Sequence, residues 1–272
     1  MLRAAEESVA EAEGTVLSPD LIVLGLERQE GPHRILDLPC VSAIVQRWRE
    51  AILSRSNDAP DRIRRLLSGH DDDGSPLEQP HLAFLPLAFV GHPHADGRLL
   101  GMGLALPGDL SRDSRREALQ VIARVRHLAL GRLGRWKLVP QRTSSPPTNM
   151  RPEIWTGYPE GATHWATVTP VVFDRHAKKE DRREVAAMIA TACARVGLPE
   201  PRQVIATQVS AHLGVPPAFE FPRLTRKDGG ERRHAHAILV FAEPVCGPVA
   251  IGAGRYRGYG LARPLHEDAL PG

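Results

Sequence analysis

The chain carries one order of apolar patterns twice, on either side of a proline-rich break, and this constrains its fold more than any other feature. In the first half "LIVLGLE", from Leu21, reads as a strand. A helical spacing follows in "LPCVSAIVQRWREAILSRS", with Val41, Ile44, Val45, Trp48 and Ile52 on one face. After the polar loop "SGHDDDGSPLEQPH", the runs "LAFLPLAFV" and "LLGMGLALP" read as two strands, joined by "GHPHADGR" with the hairpin signal Asp96-Gly97. "LSRDSRREALQVIARVRHL" predicts a second helix with Ser111 as N-cap and Leu119, Ile122, Val125 and Leu128 on one face. "RWKLVP" closes the half as a strand.

Beyond "PQRTSSPPTNMRP" the order begins again. "WATVTPVVF" reads as a strand, and "KEDRREVAAMIATACARVG" as a helix that stops at Gly197. "RQVIATQV" and "HAHAILVF" read as two strands joined by a basic insertion, and the last residues supply a shortened helix and a final strand. Each half is thus β-α-β-β-α-β, a split βαβ unit. The expected fold is α+β: tandem ferredoxin-like (RRM-like) domains with a C-terminal glycine-rich loop. The expected organisation is an acidic segment over 1–19, a first unit over 20–141, a linker over 142–163 and a second unit over 164–266. No residue-level repeat links the halves; the similarity is one of element order.

A length of 272 residues with 42% apolar side chains suffices for one large core or two ordinary ones. The formal net charge is only +3, but its distribution is uneven. From Arg223 to Arg263 there are eight arginines and lysines against Asp228, Glu231 and Glu243, a local excess suited to a polyanion. Cys40, Cys193 and Cys246 are far apart and form no CxxC pair, which fits a reducing compartment rather than a disulfide or zinc framework. The acidic opening and the lack of any apolar run near ~18 residues point to a cytoplasmic protein with no membrane contact.

The segment "IGAGRYRGYGLARPL" sets Gly252, Gly254, Gly258 and Gly260 around Arg255 and Arg257. A dinucleotide fingerprint would need a long helix and an acidic residue after it, and a Walker loop would need Gly-Lys-Ser/Thr. Neither follows. Glycines bring backbone N–H groups close to a partner, and arginines add a fork matched to phosphate. A turn that merely packs on the sheet is the alternative.

With the tandem order, this loop resembles the RAMP superfamily of CRISPR-associated proteins, and above all its pre-crRNA-processing endoribonucleases. The phrases "LLSGHDDDG", "PHLAFLPLAFVGHPHADGRLLG", "LGRLGRWKLVP", "WATVTPVVFDRH" and "GAGRYRGYGLARPL" are similar to the processing half of the fused backbone-and-processing subunit of type I-U/I-G systems. That family's further N-terminal half has no counterpart here, so the expectation covers processing and not the backbone role.

The resemblance implies cleavage of repeat RNA by its own 2′-hydroxyl, giving 2′,3′-cyclic phosphate and 5′-hydroxyl ends, with no metal and no cofactor. Such a reaction needs proton transfers and donors for the phosphorane charge. It also implies a general acid/base histidine near the first helix and the loop after it, which matches His70. His92 and His94, two residues apart, are expected on one side of an extended hairpin, either as base and acid or holding the phosphate while His70 acts. RNA grip is expected from the glycine loop and from Arg223, Arg226, Lys227, Arg232 and Arg233, with Arg112, Arg115 and Arg116 as further contacts. Tyr256 and Tyr259 are the stacking candidates, with burial of Tyr259 the alternative. His81 reads as structural, His127 as the end of the second helix, and His234 and His236 as RNA contacts or sheet caps. The expected partners are CRISPR repeat RNA or crRNA and other effector-complex subunits. Two rival readings stand beside this one: a non-catalytic guide-RNA-binding subunit, and a metal-dependent hydrolase built on His92, His94 and Asp96 of "HPHAD".

Overall fold

The computed structural model describes residues 13–175, 181–226 and 228–265. In the first half, β2 (Ile22–Glu30), α1 (Val41–Leu53), α2 (Asp61–Ser68), β3 (Ala83–Ala88), β4 (Leu99–Ala105), α3 (Arg112–Ala123), β5 (His127–Ala129) and β6 (Arg135–Pro140) follow in order. Their sheet runs β3-β4-β2-β6-β5 with every pairing antiparallel. Removing the edge strand β5 leaves the split βαβ order that the apolar patterns predict. α1 buries Val41, Ile44, Val45, Trp48 and Ile52, the predicted face, and Trp48 meets Phe84 of β3 edge-on at 5.5 Å. Ser111 caps α3, accepting from Ser114 N at 3.2 Å.

One predicted element is shorter than expected and one helix is additional. The second helix ends at Ala123, so Leu128 and His127 belong to β5, where only Leu128 points inward. The helical spacing gives way there to a strand alternation of exposed and buried positions. A further helix, α2, fills the stretch between α1 and the polar loop that starts at Ser68; it buries Ile63, Leu66 and Leu67 and ends at Gly69 in the left-handed conformation, φ 68°.

The second half contains α4 (Pro152–Thr156), β7 (Ala162–Thr167), β8 (Val171–Val172), α5 (Arg182–Ala194), β9 (Gln203–Thr207), β10 (His234–Cys246) and β11 (Ala262–Pro264). Its strands run β9-β10-β7-β11, the same split order, with β8 added to the start of β10. The N-terminal β1 (Glu13–Gly14) pairs in parallel with Val245 and Cys246 of β10. The predicted single strand "WATVTPVVF" is broken at Pro170, whose carbonyl accepts from Gly260 N at 2.9 Å. The predicted shortened helix is absent among the described residues: from Gly247 to Leu261 the chain forms turns instead. The glycine loop takes the place of that helix.

One apolar core runs across the two halves. Val168, Val172, Phe221, Tyr259 and Leu261 of the second belong to the same buried cluster as Trp48, Phe84 and Leu104 of the first. Polar ties flank it: Arg263 donates to Val90 O at 2.8 Å, and the buried Asn149 amide donates to Ala88 O and Val90 O. A shared core of this kind fixes the mutual orientation of the sheets, unlike the small polar contacts of freely moving domains. No helix among the described residues is long and apolar enough to cross a membrane.

Candidate RNA-processing site

Gly258 brings the glycine loop against the first half. Its φ is +80°, and a Cβ there would lie 2.5 Å from Val41 Cγ2 of α1. One residue earlier, Arg257 bridges in parallel to Phe84 of β3. The loop therefore lies over the start of β3, beside the end of α2.

The left-handed turn at Gly69 ends α2 and directs His70 into the same region. His70 Nδ1 lies 3.0 Å from Ser68 O, which only accepts, so Nδ1 carries the hydrogen and points Nε2 away from that carbonyl. Arg49 of α1 donates to that same carbonyl. Burial, and then the nearby charge of Arg257, lower the Arg49 pKa to about 10, so its guanidinium still carries a charge at neutral pH. Arg255 spans the ring of Tyr256 at 4.6 Å, and Tyr256 in turn lies against His81, with ring centroids 3.6 Å apart.

His81 is buried against Tyr256. Its Nδ1 donates to Gln79 O at 3.2 Å, and a Cβ on Gly69 would fall 2.4 Å from its Nε2. Burial pushes its pKa down to about 4, with the charges of Arg49, Arg255 and His70 acting in the same direction. Arg49, Arg255 and Arg257 thus gather around His70 and His81, and no carboxylate among the described residues pairs with any of the three. Arg255 Nε is buried with no partner among the described residues. Arg49 and Arg255 are half-buried and Arg257 is exposed; like charges so close, without a counterion, favour an anion between them.

The remaining predicted residues are distributed as follows. Gly252 and Gly260 sit where the loop meets β8 and Ile251, and Gly254 packs on Tyr259 and Leu224. His92 and His94 lie past the other end of β3, and its six residues alone span about 20 Å at ~3.3 Å each. They form an exposed turn rather than an extended pair: His94 N donates to His92 Nδ1 at 3.1 Å, and the rings are 5.5 Å apart. Gly91 beside them donates to Leu213 O of the second half. The structure brings His70 to the loop arginines and leaves His92 and His94 remote from both. Asp96 pairs with Arg98 at 2.6 Å, and among the described residues no three His, Cys, Asp or Glu side chains form a group that could hold a metal.

Of the basic insertion, Arg223 pairs with Glu231 at 3.1 Å and Arg226 with Asp228 at 2.5 Å. Arg232 donates to the carbonyls of Phe173 and Asp174. Arg233 is exposed beside His234. Lys227 lies outside the described residues. At α3, Arg115 pairs with Asp20 and Arg116 with Asp113. Tyr259 is fully buried, its hydroxyl on Pro222 O at 2.6 Å, and burial raises its pKa to about 12. His234 and His236 are buried, with their Nε2 atoms on the carbonyls of Ala218 and Pro216. Arg49, on the polar side of Trp48, carries no sequence signal that marks it as part of a site.

No curated protein sequence matches the chain. Among solved structures it is similar to a Cas6-related protein of Pyrococcus furiosus, at a TM-score of 0.45 and 11% identity over 91% of this chain and 98% of that one. It is also similar to a CRISPR-associated protein Cas6, at 0.45 and 9% over 90% and 99%. A third, Csf5, a type IV CRISPR-Cas Cas6 crRNA endonuclease, compares at 0.36 and 16% over 90% and 99%. Residues 10–264 match the CRISPR-associated protein GSU0054 family, and the chain belongs to that family.

Proposed function

We propose that this protein is a metal-independent endoribonuclease that cuts CRISPR repeat RNA within the precursor of the guide. The observation that carries the reading is the shared carbonyl of Ser68. It holds His70 by Nδ1 and Arg49 by its guanidinium, beside Arg255 and Arg257 of the glycine loop. His70 Nε2 takes the proton of the 2′-hydroxyl as its oxygen attacks phosphorus. The bond from phosphorus to O5′ breaks, O5′ takes a proton from solvent, and a 2′,3′-cyclic phosphate remains. The three arginines carry the charge that grows on the non-bridging oxygens. Because the nucleophile belongs to the RNA, no water needs activation by a metal. His92 and His94 have no part in these proton transfers. The likeness to the processing half of type I-U/I-G fused subunits belongs to the same proposal, as does work beside other effector-complex subunits.

Labelled repeat RNA incubated with the protein in excess EDTA tests this. Cutting at one position with a cyclic-phosphate end is expected, and His70→Ala is expected to slow it about 10²–10⁴-fold with RNA affinity nearly unchanged. Loss of cutting in EDTA would favour a metal hydrolase, and tight binding without cutting a passive guide-RNA subunit.

A further inference from the structure

The second half carries a groove of about 690 Å³, lined among others by Arg182 of α5, Ile205 and Thr207 of β9, Phe219, Arg223 and Arg233. Cavities of this size accommodate small organic molecules or one to two nucleotides. Phe219 is 72% exposed, the most exposed large apolar side chain among the described residues, and Ile205 beside the groove is also exposed. The backbone beneath Phe219 is fixed. Ala218 is fully buried, its N–H donates to Gln208 O at 2.8 Å, and its carbonyl accepts from His234 Nε2 at 2.8 Å. A rigid backbone presenting a bare aromatic ring is a preorganised surface for a flat partner.

The charge selects the occupant. Three arginines line the groove and, among its described lining residues, no carboxylate does. Arg223 is paired with Glu231, which does not line the groove and gives way to phosphate on binding, whereas Arg182 has no carboxylate partner among the described residues. An aromatic ring among arginines suits a single-stranded polynucleotide: the base stacks while the phosphates meet the guanidiniums. The segment that carries Phe219 continues to the glycine loop. Three residues after Phe219, Pro222 accepts from Tyr259 of the glycine loop, and Leu224 packs near Gly254.

We infer that this groove is a second RNA-binding site, separate from the cleft at His70, which stacks an unpaired base of single-stranded RNA on Phe219 and holds its phosphates with Arg182 and Arg223. The inference does not depend on the role of His70.

The test uses the full chain, a fluorescein-labelled oligo(A) RNA decamer, and a blunt RNA duplex of ten base pairs. Phe219→Ala is expected to weaken decamer binding about tenfold and leave duplex binding within about twofold, while Phe219→Trp retains both. Arg182→Ala is expected to weaken decamer binding and lower its salt slope by about 0.7. The same measurements on His70→Ala are expected to match the wild type, which separates this site from the cleavage assignment. Decamer binding by Phe219→Ala equal to wild type would overturn the inference and leave the patch as a protein-docking face. Equal losses for decamer and duplex would also overturn it, since the site would then read charge and not a base.

Discussion

The imidazole of His81 lies against the ring of Tyr256, with centroids 3.6 Å apart and planes tilted by 33°. One ring precedes β3 of the first half and the other sits in the glycine loop, 175 positions later by residue number. Below His81 is Gly69, the turn that aims His70, and over Tyr256 is Arg255. The stack thus sets the spacing between the proposed base and the proposed phosphate grip.

Tyr256→Ala should therefore loosen that spacing. Loss of an aromatic pair is worth about 0.5–1.5 kcal/mol beyond the area it buries, so a fall in Tm of a few degrees is expected in a thermal melt. The cleavage rate should fall by tenfold or more at temperatures where the variant is still folded, because small misplacements weigh heavily on positioned reactions. Tyr256→Phe keeps the ring and should behave as wild type. If the phenylalanine variant loses activity, the hydroxyl and not the stack is what matters.

Gly258 tests the same seam from α1. Alanine there must adopt φ +80° and place its Cβ 2.5 Å from Val41 Cγ2. The expected cost is about 1–3 kcal/mol, read from a denaturant midpoint. The double variant Gly258→Ala with Val41→Ala should cost less than the sum of the two, since shortening Val41 removes the obstruction. Strict additivity would mean that the loop does not rest on α1.

Much of this arrangement can be read from the sequence. The period of Val41, Ile44, Val45, Trp48 and Ile52, the cap at Ser111 and the hairpin signal of Asp96-Gly97 are local, and the structure contains the helix face, the cap and the β3–β4 hairpin, although the chain turns at His92–Ala95 and Gly97 sits opposite Phe89. α2 is also locally encoded, by Pro60 and Asp61 before it, Ile63, Leu66 and Leu67 on one face, and Gly69 after it. Its four arginine and aspartate neighbours make the stretch look like loop. What no local pattern reveals is pairing at a distance. Arg49 and Arg257 meet only because the two halves share a core. The basic run around Arg223 looks like free charge until Glu231 and Asp228 are seen folded back onto it. His92 and His94 resemble an active pair in sequence, yet the length of β3 separates them from His70.

Acid stability follows from three buried imidazoles. Burial holds His81, His212 and His236 at pKa values of about 4, against an ordinary value of 6.5. In the unfolded chain they take up protons near 6.5, so between pH 6.5 and 4 the unfolded state binds more protons than the folded one. Stability should then fall as pH drops through that window and be fully present above it. Each group contributes up to about 3 kcal/mol at 1.36 kcal/mol per unit. Tm measured at pH 7, 6 and 5 should decline steadily. A flat profile would mean these rings reach solvent in the folded protein.

The arginines that lack carboxylate partners should dominate the salt dependence of RNA binding. Each cation that neutralises a phosphate adds about one to the slope of log affinity against log salt. Arg255 and Arg257 have no carboxylate partner among the described residues, so replacing both by alanine should lower the slope by about two and weaken binding at low salt most. Arg223 and Arg226 must first exchange Glu231 and Asp228 for phosphate, which offsets part of the gain. Their double alanine variant should lower the slope by less, in the same titration of a hairpin repeat RNA between 50 and about 200 mM salt. If the two double variants change the slope equally, the ion pairs open on binding and the basic insertion holds RNA as firmly as the glycine loop.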